Sequence, residues 1–269
     1  MTVFCTAFER QMKKAILYQP VVVKKEYNNE HWYWVDDIFK PAVTKILGET
    51  MPMPDALKNW LGDIGTERAQ QKLESAGERG TLIHEACAKL IKEGKINLIE
   101  DFPDKKDKKV LTGFVNWFAD YQPQPLEGYD KTEDKIFPPE FIVASKKGYA
   151  GTIDYVCRIK NKPYIIDFKT SKGIYENHKL QVVAYRQAFY ENTGIYCKIA
   201  LLHLTPLAKL GYSFYDTDRI KIKGKKVTAT DFLAVLNLYK RLNGGIIPQP
   251  PLEEQYPPIL YLKKQEQVI

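Results

Sequence analysis

Gly151-Thr152-Ile153-Asp154-Tyr155-Val156-Cys157-Arg158-Ile159 and, four residues on, Tyr164-Ile165-Ile166-Asp167-Phe168-Lys169 are the two segments whose reading decides the fold. Both are short, rich in β-branched and aromatic residues, and joined by Lys160-Asn161-Lys162-Pro163, which reads as a hairpin turn. A third strand, Glu140-Phe141-Ile142-Val143-Ala144, precedes them across the turn Ser145-Lys146-Lys147-Gly148. Each of the two central strands carries one aspartate among apolar neighbours. Burying a carboxylate there is costly unless a cation or several donors meet it. The hairpin sets Asp154 and Asp167 side by side, and like charges that close repel unless a metal ion lies between them. Oxygen ligands of this kind suit Mg²⁺ or Mn²⁺. Lys169 stands two residues after Asp167, on the same strand face, so an ammonium group points where the carboxylates do. A metal, a water and a positive charge over the transition state are what phosphodiester hydrolysis needs.

Around this meander the pattern is helical. Ala42–Leu47 reads as a helix opening, Asp55–Trp60 and Gly65–Leu73 as helices separated by Gly62 and Gly65, Thr81–Ile91 as a helix stopped by Gly94, and Val110–Tyr121 as another, after a charged loop at Asp101–Lys109. Val21–Val23 reads as a short strand. Downstream, a helix is expected from about Tyr175 to Glu191, a buried strand over Lys198–Leu204, an edge strand over Gly211–Tyr215, and a last helix over Asp231–Leu242 with Thr230 or Asp231 near its N-cap. The layout is that of an α/β protein, a mixed central sheet flanked by helices with a helical N-terminal region. Gln122–Asp130, with two prolines and a glycine, is the best internal boundary. The expected division is residues 1–130, a mainly helical region packed on the core; residues 131–243, the core; and residues 244–269, a proline-rich tail.

The chain has 269 residues, with 44% hydrophobic and 27% charged residues, a net charge of +7 and a pI of about 9.0. These values describe an ordinary globular protein with a mild preference for polyanions. Cys5, Cys87, Cys157 and Cys197 are scattered, which argues against a zinc ribbon and for a reducing compartment. No apolar run is long enough for a membrane helix, and the opening residues lack a signal-peptide pattern, so a cytoplasmic protein without a membrane partner is expected. There is no Walker A motif.

An ordered set of motifs gives the residues a context: Gly80-x-x-x-His84 on a helix, Gly151-Thr152-Ile153-Asp154, Asp167-Phe168-Lys169-Thr170-Ser171, and Gln181-x-x-x-Tyr185 on the following helix. In order, spacing and setting this set resembles the PD-(D/E)XK nuclease superfamily, within it the RecB-like exonuclease branch, over about Val43 to Leu242. The resemblance implies a restriction-endonuclease-like core. It implies metal ligation by Asp154, Asp167, the backbone carbonyl of Phe168 and His84, with Lys169 orienting the attacking water. Gln181 and Tyr185, one helical turn apart, would position Lys169 or the DNA backbone. Taken singly, His84 reads as a core or capping histidine and Gln181 and Tyr185 as helix packing. Glu140 is a candidate acid behind the metal ligands. Thr170, Ser171 and Lys172 read either as phosphate contacts or as the N-terminal cap of the next helix. Val43–Leu47 followed by Leu57-x-x-Trp60 is similar to the helical region before the histidine in mitochondrial genome-maintenance exonucleases and phage exonucleases, where it helps to thread single-stranded DNA. Trp32, Tyr33 and Trp34 are candidates for stacking on bases there, with core packing as the plainer role. The cysteines do not follow the pattern of relatives that bind an iron–sulfur cluster, so none is expected.

Together these readings predict a Mg²⁺- or Mn²⁺-dependent deoxyribonuclease, an exonuclease on single-stranded or end-frayed DNA in recombination, repair or phage DNA processing, with other replication or recombination proteins as further partners. The competing readings are a nuclease fold that holds DNA without cutting it, and a restriction-type or structure-specific endonuclease.

Overall fold

The computed structural model describes residues 20–27, 30–53, 55–128 and 136–243. Cys5 and the proline-rich tail from residue 244 lie outside them. The chain folds as a mixed α/β protein. Three strands come first, β1 (Val22–Tyr27), β2 (Glu30–Val35) and β3 (Ile38–Lys40), paired antiparallel in that order. Four helices follow: α1 (Val43–Thr50), α2 (Asp55–Ile64), α3 (Thr66–Glu93) and α4 (Lys105–Tyr121). After the short β4 (Gln124–Pro125), β5 (Phe141–Ser145) and β6 (Tyr149–Ile153) form a hairpin. Then come β7 (Tyr155–Ile159), β8 (Lys162–Lys169), α5 (Glu176–Thr193), β9 (Lys198–Leu204) and β10 (Tyr212–Asp216). A small hairpin of β11 (Lys221–Ile222) and β12 (Lys225–Lys226) leads into α6 (Ala229–Leu242).

The central sheet has the order β10-β9-β8-β7-β4, with β8 and β9 parallel and the other neighbours antiparallel. The β7–β8 turn is two residues long, Lys160 and Asn161, both at positive φ, as a tight twisted hairpin requires. β8 and β9 are buried on both faces, and their side chains alternate between two cores. Ile165, Ile199 and Leu201 face α1, α5 and α6, while Tyr164, Ile166, Phe168 and Leu202 face α3 and α4. Helices from before and after residue 122 therefore share cores with the same sheet. Among the described residues, no helix is long and apolar enough to cross a membrane.

Several boundaries differ from the sequence reading, each for a physical reason. The expected strand over 151–159 is broken at Asp154: β6 pairs with β5 and β7 joins the central sheet. The helical stretches expected at 65–73 and 81–91 are one helix of 28 residues. Gly77 and Gly80 sit inside it, and Gly94 ends it in a left-handed turn. Half of the expected charged loop is helical, because the Asp104 side chain caps α4 by accepting from the Lys106 N–H. Helix α6 has Thr228 as its N-cap, and Asp231, near the cap as expected, completes a capping box by accepting from the Thr228 N–H at 2.7 Å. Residues 22–27, 30–35 and 38–40 are strands. Trp32 and Tyr33 are both buried within this sheet, and the Tyr33 hydroxyl lies 2.8 Å from that of Thr152.

Candidate functional site

The break at Asp154 builds the site. The β7–β8 ladder ends at Tyr155↔Ile166, so one further step of the register sets Asp154 opposite Asp167. β8 runs on alone past that point. Its Phe168 N–H, without a strand partner on that edge, donates to Asp154 Oδ2. In an extended strand the N–H and C=O of one residue point to the same edge, so the Phe168 carbonyl is turned toward Asp154 as well. Asp154 Oδ1 lies 3.2 Å from His84 Nδ1, and the His84 ring rests edge-on against Phe168. Glu140 completes this side. Its backbone is in the left-handed region at φ 61°, and its N–H donates to the Asp154 carbonyl at 3.1 Å. Glu140 was expected in a strand; it sits in the bend just before β5, and the bend turns its carboxyl toward the site. One ligand atom each from His84, Glu140 and Asp154 lie within 4.8 Å of one another, a grouping able to hold a metal ion.

Asp167 and Lys169 lie on the face of β8 that meets α5. Asp167 is 1% exposed, and its Oδ2 lies 2.7 Å from Lys169 Nζ. Gln181 on α5 ties the pair together. Its amide nitrogen donates to Asp167 Oδ1 at 3.1 Å and approaches the Tyr185 hydroxyl at 2.9 Å, and its carbonyl accepts from Lys169 Nζ at 3.1 Å. Tyr185 fits because residue 151 is glycine: a Cβ there would lie 2.4 Å from the Tyr185 ring. Gly80 serves Thr170 in a similar way, at 3.3 Å.

Charge and burial set the protonation of these groups. Burial lowers the His84 pKa, but the Asp154 carboxylate beside it reverses the sign, so the imidazole sits above its ordinary value. Burial raises Asp154, but His84, Lys169 and the Phe168 N–H outweigh it and hold the carboxyl below the usual range. Burial pushes Asp167 up to about 6 against the pull of Lys169. Burial and the neighbouring Asp154 push Glu140 up to about 7. The Asp154 carboxylate adds to the rise of both Asp167 and Glu140, and a cation would relieve that repulsion. Asp167 Oδ2 is buried, with the Lys169 ammonium as its ion-pair partner. Carboxylate oxygens suit Mg²⁺ or Mn²⁺, and an imidazole nitrogen among them favours a transition ion such as Mn²⁺.

The structure thus brings together Asp154, Asp167, Lys169, Gln181, Tyr185, His84, Glu140 and the Phe168 backbone. It leaves others outside. The loop after β8 does not cap a helix, since α5 begins at Glu176 with Tyr175 as its N-cap. Ser171 is spent within that loop, its hydroxyl donating to the Gly173 carbonyl and its own carbonyl lying 2.7 Å from His203 Nε2. Thr170 lines a neighbouring cavity, and Lys172 lies over Trp60. Trp32 and Tyr33 are buried, which removes them as stacking candidates; Trp34 is half-buried against Phe39.

His178, in the first turn of α5, was not anticipated. Burial, then Lys169, His203 and Lys179, lower its pKa to about 3 from an ordinary 6.5. A base depressed on folding stabilises the protein fully above its unfolded pKa and loses that contribution as pH falls toward the folded one. His178→Gln keeps an acceptor for the Tyr175 N–H and removes the titration. Urea unfolding should then show the wild type losing about 2 kcal/mol more than the variant between pH 7 and pH 4, after allowance for solvent screening. Parallel stability curves would show that His178 is solvated.

No family model matches the chain, and no curated protein matches it. Among solved structures, one described as the crystal structure of SSO0001 is 15% identical, covers 60% of this chain and 73% of its own, and superposes with a TM-score of 0.29. A likeness that low carries no argument about fold or function.

Proposed function

We propose that the chain is a divalent-metal-dependent deoxyribonuclease, and specifically an exonuclease on single-stranded or end-frayed DNA. The observation that supports this reading is the meeting of His84, Glu140 and Asp154 on one side of a strand end with the Asp167–Lys169–Gln181 chain on the other. Asp154, Asp167, His84 and Glu140, with the Phe168 carbonyl, would hold the ion. When bound, Mg²⁺ or Mn²⁺ polarises a phosphoryl oxygen and eases deprotonation of a water.

The chain's own groups do the rest. Lys169 places positive charge where a phosphate gains negative charge, and it can orient the attacking water by donating to it. Gln181 fixes the Lys169 ammonium, and Tyr185, with room made by Gly151, fixes Gln181. His84 holds Asp154 in place. A DNA-holding module without catalysis has no need of Lys169, Gln181 and Tyr185 interlocked around a buried aspartate, which favours the enzyme over that alternative. The described cysteines are free and buried, which fits the cytoplasm of a bacterium or phage-infected cell, with replication or recombination proteins as further partners.

The test uses end-labelled linear and circular oligonucleotides. With Mg²⁺ or Mn²⁺, linear single strands are expected to be shortened and circles left whole. EDTA should stop the reaction and added Mn²⁺ restore it. Cleavage in EDTA would dispose of the metal, and cleavage of circles would make the protein an endonuclease.

A further inference from the structure

The row of the sheet that holds Asp167 continues across two more strands: Asp167 pairs with Leu201 on β9, and Leu201 with Tyr215 on β10. Side chains in one such row share a face, and this one meets α5. Where the first turn of α5 passes the edge of the sheet, a cavity of about 180 Å³ lies between them, lined by Leu201, Tyr215, Ile174, Ile220, Lys179 and Arg219. Leu201 and Ile220 are buried, Lys179 is half-buried and Arg219 exposed, so the apolar residues form its floor and the cations its mouth. Both cations keep donors to offer. Lys179 Nζ gives one of its three hydrogens to the Lys221 carbonyl at 2.8 Å, and neither Lys179 nor Arg219 takes part in an ion pair among the described residues. The acids that precede Arg219, Asp216 and Asp218, do not line the cavity, and Asp216 Oδ1 accepts from the Asp218 N–H at 3.3 Å. Lys179 also belongs to a region of gathered positive charge: after burial, it is Lys169, His203 and Lys179 that disfavour a proton on His178.

We infer that this cavity binds a small phosphate monoester, its phosphate held at the mouth by Lys179 and Arg219 and its carbon body set against Leu201, Tyr215 and Ile220. The site shares no lining residue with the metal-ligating groups, and the inference does not rest on the nuclease reading. Charge decides the sign of the ligand and shape its class. A guanidinium and an ammonium converging on one opening suit a doubly charged group of tetrahedral oxygens better than a single carboxylate. The volume is that of about six water molecules, which holds a phosphate with a few carbons attached and excludes a base-paired end. The apolar floor favours a ligand with a carbon body over the bare ion. Ile174 and Lys179 flank the start of α5, so the ligand ties this helix to the end of β10. Two sources offer the same chemistry: a free sugar phosphate, and the phosphorylated end of a strand.

The experiment is calorimetric titration of the full chain in EDTA with ribose 5-phosphate, ribose and inorganic phosphate. Ribose 5-phosphate should bind in the submillimolar range, inorganic phosphate about five-fold more weakly for want of the apolar contact, and ribose not at all. Arg219→Gln is expected to weaken ribose 5-phosphate about ten-fold, the loss of one charge-assisted contact, and Lys179→Gln about three-fold or more. Lys226→Gln removes an exposed lysine outside the cavity and should leave the affinity unchanged. Hexathymidylate with and without a 5′-phosphate separates the sources. A preference for the phosphorylated strand that Arg219→Gln abolishes assigns the site to strand ends, and equal binding of the two strands assigns it to free monoesters. Ribose 5-phosphate that binds no better than ribose, or an Arg219→Gln variant that binds as the wild type does, overturns the site. A loss in Lys226→Gln as large as that in Arg219→Gln overturns it too, since the whole basic surface is then the attraction. None of these measurements involves cleavage, so their outcome is independent of whether the chain cuts DNA.

Discussion

Lys169→Met should lower metal-dependent DNA cleavage by about 10³-fold, the scale of a donor aimed at charge that develops in a transition state. Methionine keeps the length of the side chain and removes its charge and its three donors. The fold should survive, because Lys169 is a half-buried residue at the end of β8 whose contacts are Asp167 and Gln181. The loss should fall on kcat. Oligonucleotide affinity in EDTA should change little, since most of that binding comes from phosphate contacts elsewhere. Lys169→Arg should not rescue. A planar guanidinium cannot occupy the point between Asp167 Oδ2 and Gln181 Oε1 that a compact ammonium fills. A kcat within ten-fold of the wild type in Lys169→Met would remove Lys169 from the chemistry, and with it the reason for the Gln181–Tyr185 support.

Gly113→Ala should be the most damaging single-methyl change away from the site. Helix α4 meets the β9–β10 loop through two glycines, and a Cβ on Gly113 would lie 2.4 Å from the Gly211 carbonyl oxygen. Neither backbone can yield cheaply. Gly211 sits at φ 82°, donates to the Ala208 carbonyl and accepts from the Thr205 N–H. The helix is held to the same loop by Asn116, which donates to the Leu210 carbonyl, and by Asp120, which accepts from the Tyr212 hydroxyl. Overpacking against fixed backbone costs on the order of 3 kcal/mol, which lowers Tm by roughly 10 °C in a domain of this size. Gly48→Ala is the control. It lies in α1 with nothing within 4 Å, so alanine there should stabilise by up to about 1 kcal/mol. Equal melting of the two variants would mean that α4 and the loop separate easily.

The central strands could be read from the sequence because their signal is local. Short runs of β-branched and aromatic residues and a tight turn mark β7 and β8 without reference to anything distant. An aspartate within each apolar run is conspicuous for the same reason: its cost is set by its neighbours. The break at Asp154 could not be read, since β6 and β7 are continuous in composition and part only because each has a different partner. Helix α3 looked like two pieces because Gly77 and Gly80 weaken helical propensity locally, while packing over the whole length outweighs them. The first sheet was obscured by burial of Trp32 and Tyr33 at successive positions, which hides the alternation of a strand with one wet face. Glu140's place among the ligand groups depends on a left-handed residue at a bend. The Arg79–Asp107 pair joins two helices 28 residues apart, and no spacing rule anticipates it.

The Phe168 amide hydrogen is satisfied by a side chain rather than by a neighbouring strand. A proton shared with a carboxylate resonates at low field and exchanges with solvent only when that carboxylate lets go. One backbone signal in a nitrogen-15 spectrum therefore acts as a gauge of Asp154 itself. It can be followed through a titration with Mg²⁺ before any substrate has been found.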